Sequence, residues 1–152
     1  MATVRRKALA YITRGDMLLV FSHPDYPEAG IQVPAGTIEE GEPPAEAALR
    51  EAQEETGLTA LTLVSFLGEQ MYDRSALPLR SDEIHQRFFF HLTCEGTPPA
   101  TWRHYETHRS DGGTEAIAFD FFWARLPDGV PELIAGHGAL LPVLMERLAQ
   151  ER

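Results

Sequence analysis

The sequence predicts an α/β or α+β sandwich, in which a mixed β-sheet is covered by two amphipathic helices. Three observations carry this expectation. Short apolar runs bounded by turn residues recur along the chain, at Met17–Phe21, Leu61–Phe66, Ile84–Cys94 and Ile117–Leu126. Pro44–Thr56 is punctuated as a helix and has one small apolar side. His137–Gln150 places Leu140, Leu141, Leu144, Met145 and Leu148 at helical spacing, with Pro142 tolerable only near its start.

Each element has a local reason. Val4, Ala8, Ala10, Tyr11 and Ile12 precede Arg14-Gly15-Asp16, and Met17–Phe21 follows it, so a β-hairpin is expected with the triplet as its turn. Ser22–Gly30 is a loop holding two prolines, and its His23 and Tyr26 are candidates to flank a substrate base. Ile31–Val33 reads as a short strand, after which Pro34-Ala35-Gly36 bends into the helix approach. Leu61–Phe66 is a strand that Leu67–Tyr72 continues. Asp73–Asp82 is a polar loop with Pro78, where Arg74 and Arg80 are candidates to meet substrate phosphates.

Ile84–Cys94 alternates, with Phe88, Phe90, Leu92 and Cys94 on one, mostly buried, face. Gly96–Ala100 breaks the chain before Trp102–His108. His104 and His108 flank Glu106, but the helical zinc-protease pattern sets its glutamate beside the first histidine, so zinc is disfavoured. Ser110–Thr114 is a turn, Ile117–Leu126 is apolar on both faces and reads as a central strand, and Pro127–Pro131 is a loop.

Composition narrows the function classes. The chain has 152 residues, expected as one domain over 1–152 with a proper core. No run of about 18 apolar residues suggests a membrane span. The basic N-terminus lacks a long apolar core and a cleavage site, so no signal peptide is expected. One cysteine, Cys94, excludes an internal disulfide and fits a reducing cytoplasm. A net charge of −10 argues against a protein that tracks nucleic-acid phosphates.

Much of the acid is concentrated in GTIEEGEPPAEAALREAQEETGL, residues 36–58. Pro43 and Pro44 suit a first helical turn, where a missing N–H costs little, and Gly57 suits a left-handed C-terminal cap. At about 100° per residue, Ala45, Ala48, Leu49, Ala52 and Thr56 share the small apolar side. Glu51, Glu54 and Glu55 stand at i, i+3 and i+4, a carboxylate patch edged by Arg50. Like charges at this spacing repel, and hard oxygen ligands suit Mg²⁺ or Mn²⁺, so a divalent cation would relieve the patch. A solvated acidic face is the bland reading. Against it, Glu55 borders the apolar side and a glycine opens the stretch.

The stretch resembles the signature of the Nudix hydrolase (MutT-like) family, G-x5-E-x7-R-E-U-x-E-E-x-G-U with U a bulky aliphatic residue. Gly36, Glu42, Arg50-Glu51, Glu54-Glu55 and Gly57 meet every fixed letter, and Leu58 closes it. The one departure is Ala52, smaller than the usual aliphatic, which bears on helix–sheet spacing rather than on chemistry. The resemblance implies a Nudix-type α/β/α sandwich with a mixed sheet and a loop-helix-loop signature. It implies Mg²⁺ (or Mn²⁺) held by Glu51, Glu54, Glu55 and the backbone carbonyl of Ala35. It further implies that Arg50 orients the glutamates, that Glu42 completes the metal shell or pairs with Arg50, and that Glu54 ligates or accepts the proton of the attacking water. Members often use a later glutamate as base or extra ligand; Glu106 and Glu115 are the candidates, with Glu95 third.

The expected reaction is hydrolysis of a nucleoside diphosphate linked to another moiety, giving two phosphate-bearing products. Partners are a small nucleotide-type substrate and, by resemblance, a second copy of the chain. The proline typical of ADP-ribose enzymes and the tyrosine typical of diadenosine-polyphosphate enzymes have only offset counterparts here, Pro78 and Tyr72. Dinucleoside polyphosphates, sugar nucleotides, capped RNA ends and damaged nucleoside triphosphates all stay open. Two other classes share the fold: a silent ligand sensor, which usually has a damaged signature, and a prenyl-diphosphate isomerase, which would need Cys94 as a catalytic thiol.

Overall fold

The computed structural model describes residues 3–73, 83–106 and 116–151. The strands are β1 (Thr3–Arg14), β2 (Met17–Ser22), β3 (Ala35–Thr37), β4 (Leu61–Asp73), β5 (Glu83–Cys94), β6 (Thr101–Glu106) and β7 (Ile117–Arg125). The helices are α1 (Pro44–Thr56) and α2 (Leu141–Gln150). The mixed sheet runs β4-β5-β1-β2-β7-β6, with β3 paired to β1. Among the described strands only β1 and β5 pair in parallel, in register from Thr3↔Glu83 to Thr13↔Thr93.

The other edge of β1 is shared. Its end pairs with β2 across the Gly15 turn, at Thr13↔Leu18 and Arg14↔Met17, as the turn signal predicts. Its middle, Lys7 to Leu9, pairs with β3. The chain entering β3 therefore changes partner: Gln32 bridges Phe21 of β2, and Pro34 O accepts from Ala10 N at 2.9 Å. This corrects the expected strand at Ile31–Val33. Divided between two neighbours and interrupted by a proline with no N–H, that segment forms isolated bridges, and the strand forms at Ala35–Thr37 instead.

Alternation along the strands feeds two cores. Ala8, Ala10, Ile12, Leu19, Phe21, Phe90 and Leu92 join Ala47, Ala48 and Ala52 of α1. Leu9, Tyr11, Leu18, Val20 and Phe89 join Leu144 of α2 on the opposite face. The result is an α/β/α sandwich. Both faces of β5 are covered: His85, Arg87 and His91 are buried as deeply as Phe90, so the expectation of a single buried face understated it. Strand β7 is interior but lies one place from the edge, between β2 and β6, rather than at the centre.

Helix α1 has the expected bounds, with Gly57 as its left-handed cap (φ 79°) and Gly57 N donating to Gln53 O. Its buried side is turned slightly from the expected one. Ala47 and Glu55 join Ala48, Ala52 and Thr56 inside, while Ala45 and Leu49 pack at the margin. Helix α2 begins at Leu141, later than expected, with Pro142 in its first turn. The preceding residues are held as a turn by Tyr11, whose hydroxyl donates to His137 O at 2.5 Å and accepts from Leu140 N at 3.1 Å. Among the described residues no helix is long and apolar enough to cross a membrane.

Candidate active site

The site forms where α1 leans on β3 and β6. Gly36 faces the helix, and a Cβ there would lie 2.0 Å from Cδ of Glu51. The Glu51 carboxyl therefore lies against bare backbone, which only glycine allows. Ala35 N reaches towards Oε2 of Glu55 at 3.4 Å. Glu55 is 4% exposed, on the same side of α1 as its alanines.

The third carboxylate comes from β6. Trp102, His104 and Glu106 share one face of that strand by two-residue alternation. Trp102 Nε1 donates to Thr56 O at 2.9 Å. His104 Nε2 bonds Glu54 O at 2.9 Å, and a carbonyl only accepts, so this nitrogen carries the proton. Both bonds satisfy carbonyls of the last turn of α1, which have no partner within the helix. They dock β6 on the helix end and deliver Glu106 to the carboxylates. Glu51, Glu55 and Glu106 each place one oxygen within 4.8 Å of the others'.

Electrostatics describe a strained trio. Burial raises the Glu51 carboxyl above its ordinary pKa, against the lowering effect of Arg50. Glu55 is raised well above the usual carboxylate range, by burial first and then by the charges of Glu106 and Glu51. Burial and the charges of Glu51 and Glu54 push Glu106 up to about 7. Three converging carboxylates, Glu55 buried and Glu51 and Glu106 half-buried, that resist ionising side by side fit a divalent hard cation, whose charge would favour the ionised form of each.

Arg50 organises the outer side. Its Nε and Nη2 donate to Glu42 at 2.8 and 2.9 Å, its Nη1 to Glu51 at 2.8 Å and Glu54 at 3.4 Å, and its Nη2 also to Thr37 O at 3.2 Å. The fork on Glu42, helped by the Glu39 N–H, holds the Glu42 carboxyl down at about 2. Of the two roles expected for Glu42, the geometry shows the pairing with Arg50. Glu54 stands outside the trio with its side chain 38% exposed, at the mouth of the site.

The remaining candidates are distributed elsewhere. Tyr26 is 54% exposed, just before the 3-10 turn Pro27–Ala29. His23 packs edge-on against Phe21 and Phe119, with ring centroids at 5.6 and 4.7 Å. Glu95 is exposed just past β5, its N–H bonded to Ala60 O. Arg74, Arg80, His108 and Glu115 lie outside the described residues. Cys94 is buried in the core beneath α1 and burial raises its thiol, an environment that disfavours the thiolate an isomerase would use. Sequence reasoning missed Trp102 and the docking role of His104. The signal was the two-residue alternation of Trp102, His104 and Glu106, which a search for zinc spacing passes over.

The profile of the NUDIX domain matches residues 3–133. Among solved structures, a UDP-X diphosphatase is similar over 100% of this chain and 66% of its own, at 20% identity and TM-score 0.64. A bifunctional NMN adenylyltransferase/ADP ribose pyrophosphatase from Francisella tularensis, complexed with AMP and a Mn ion, is similar over 97% of this chain and 42% of its own, at 17% identity and TM-score 0.55. A MutT NUDIX hydrolase from Burkholderia pseudomallei is similar over 94% of this chain and 97% of its own, at 21% identity and TM-score 0.57. The chain thus spans 66% and 42% of the first two of these proteins, and likeness at these identities concerns the fold.

Proposed function

The chain belongs to the NUDIX domain family, and on that premise we propose that it hydrolyses a phosphoanhydride bond in a nucleoside diphosphate linked to a further moiety X, with Mg²⁺ or Mn²⁺. The observation that carries the proposal is the convergence of Glu51, Glu55 and Glu106 within 4.8 Å. With the Ala35 carbonyl, these three would hold the cation. When bound, it supplies charge neutralisation at the diphosphate and a lowered pKa for water.

The chain's own residues do the rest. Arg50 holds Glu51 through the 2.8 Å bond to Oε1 and ties Glu42 and Glu54 to it. Glu54 at the mouth accepts the proton of the attacking water on a carboxylate oxygen. The water oxygen bonds to one phosphorus as the bridging P–O bond breaks, and two phosphate-bearing products leave. The UDP-X diphosphatase and the ADP ribose pyrophosphatase support this substrate class, since each is named for splitting a nucleoside diphosphate attached to something else.

The test is a panel of nucleotide sugars, dinucleoside polyphosphates and nucleoside triphosphates, with Mg²⁺ and with Mn²⁺, and products identified by mass. Cleavage of at least one nucleoside diphosphate conjugate into two phosphate-bearing products is expected. Background turnover across the panel with both metals would make a ligand sensor the better reading.

A further inference from the structure

Residues 31–37 bring the Ala35 backbone and the bare Gly36 to the carboxylates, yet the first half of that segment forms isolated bridges rather than a strand. Gln32 bridges Phe21 of β2, and from Ala35 onwards the chain pairs with β1. Between these partners lies Val33, fully buried. A buried backbone N–H needs an acceptor. The Val33 N–H finds it in a side chain, donating to Nδ1 of His137 at 3.2 Å.

His137 ends a segment that acts as an incomplete extra strand. Leu133 bridges Ile31 in parallel, and Ile134 N donates to Ile31 O at 3.0 Å. The backbone then turns away, with Ala135 in the left-handed region (φ 55°, ψ 35°) and Gly136 following at φ 76°. A residue with a Cβ persists in that region when its surroundings hold it. Arg87 Nη1 does so by donating to Ala135 O. Where a regular strand would offer Val33 a carbonyl, this turn offers an imidazole.

The imidazole is a fixed acceptor. It is 8% exposed. Burial first, then the charges of Arg87 and His85, keep it neutral, so Nδ1 retains its lone pair. Tyr11 of β1 pins its backbone, donating to His137 O at 2.5 Å and accepting from Leu140 N at 3.1 Å. The link onward is stiff. Pro34, with its fixed φ, joins Val33 to Ala35, and Pro34 O accepts from Ala10 N at 2.9 Å.

We propose that His137 is a positioning residue of the carboxylate site: by holding Val33 it holds Ala35 and Gly36 in place against Glu55 and Glu51 for a divalent cation. This role rests on the metal-dependent reading above and extends it to a side chain on the α2 side of the sheet. His137 touches none of the three carboxylates and acts through the backbone of residues 33–36, as supports outside a ligand set do.

Two substitutions test it. His137→Leu fills the space and leaves the Val33 N–H without its acceptor, and His137→Asn restores an acceptor. In metal-free protein, His137→Leu should speed amide hydrogen exchange at least tenfold at Val33, Ala35 and Gly36, beyond any change at Leu19 and Val20 of β2. Calorimetric titration should show Mn²⁺ affinity about tenfold weaker in His137→Leu and within about twofold of the parent in His137→Asn. A folded His137→Leu with parental exchange at Ala35 and Gly36, or with parental Mn²⁺ affinity, would overturn the proposal. So would a His137→Asn that is impaired as much as His137→Leu, since the loss would then follow from packing alone.

Tyr11→Phe keeps the ring and removes the hydroxyl that pins His137, so it decides the matter if His137→Leu does not fold. It should weaken Mn²⁺ about threefold and loosen the same three amides, and parental behaviour in both measurements would refute the role. If the parent chain binds no Mn²⁺, the metal-dependent reading falls, and the exchange pattern alone decides whether His137 places β3.

Discussion

Replacing Arg50 tests the electrostatic frame of the site. Arg50→Ala removes the two-pronged contact with Glu42 at 2.8 and 2.9 Å and the contact with Glu51 at 2.8 Å. The arginine side chain is 27% exposed and that of Glu42 is 15%, so solvent screens the pair only in part. A hydrogen bond to a charged group contributes about 1.5–3 kcal/mol when buried. Allowing for screening, the fork as a whole is expected to stabilise the fold by about 2–3 kcal/mol. For a chain of this size, 1 kcal/mol moves Tm by about 2–4 °C, so Arg50→Ala should lower Tm by roughly 5–10 °C.

The assay is thermal and urea unfolding of Arg50→Ala, Glu42→Gln and the double variant at neutral pH. The two single losses should overlap, with a coupling of at least about 1 kcal/mol. Arg50→Lys should fall between, since lysine keeps the charge and loses the planar fork. Losses that simply add, or an unchanged Tm in Arg50→Ala, would refute the reasoning.

Two further perturbations bear on the rest of the structure. Gly36→Ala puts a methyl group 2.0 Å from Cδ of Glu51, so the carboxylate must leave its place; divalent-metal affinity should fall at least tenfold, comparable to the 10–100-fold typical of displaced ligand supports, and an unchanged Mn²⁺ titration would contradict the packing described. His137 is buried, with Nδ1 accepting from Val33 N at 3.2 Å, and burial pushes its pKa down to about 3. It therefore stays neutral in the fold, while the unfolded chain gains its proton near the ordinary value of about 6.5. The contribution is present above that value and is lost as pH falls from about 6.5 towards 3, at about 1.4 kcal/mol per pH unit. His137→Asn keeps an acceptor without the titration, so urea unfolding at pH 7 and pH 5 should show a smaller loss than the parent by about 2 kcal/mol; parallel losses would be contrary to this account.

The signature helix was legible because its signals are local. Pro44 and Gly57 mark its ends, the alanines mark its packed side, and both ends fall where they were expected. Ala52, the small residue in the motif, is fully buried in the same core as Phe21, Phe90, Phe119 and Phe121. The choice among late glutamates was not legible. Glu106 reaches the trio because β6 pairs with β7 in one register and docks on α1 through Trp102 and His104, and neither contact has a sequence interval. The division of Ile31–Thr37 between two strands was hidden for the same reason, since a short apolar segment does not announce which edge it will join. The neighbourhood of Lys7 and Arg87 was equally out of sight, because the two are distant in sequence and meet only through the parallel pairing of β1 with β5.

The most direct measurement is calorimetric titration with Mn²⁺, competed by Mg²⁺, of the parent chain, Glu55→Gln, Glu106→Gln and, as control, Glu95→Gln. Saturable binding should be retained in Glu95→Gln and weakened at least tenfold in each of the other two, whose metal-free forms should be no less thermally stable because one repelling charge has gone. Equal affinity in all four proteins would mean that the converging carboxylates do not hold the cation.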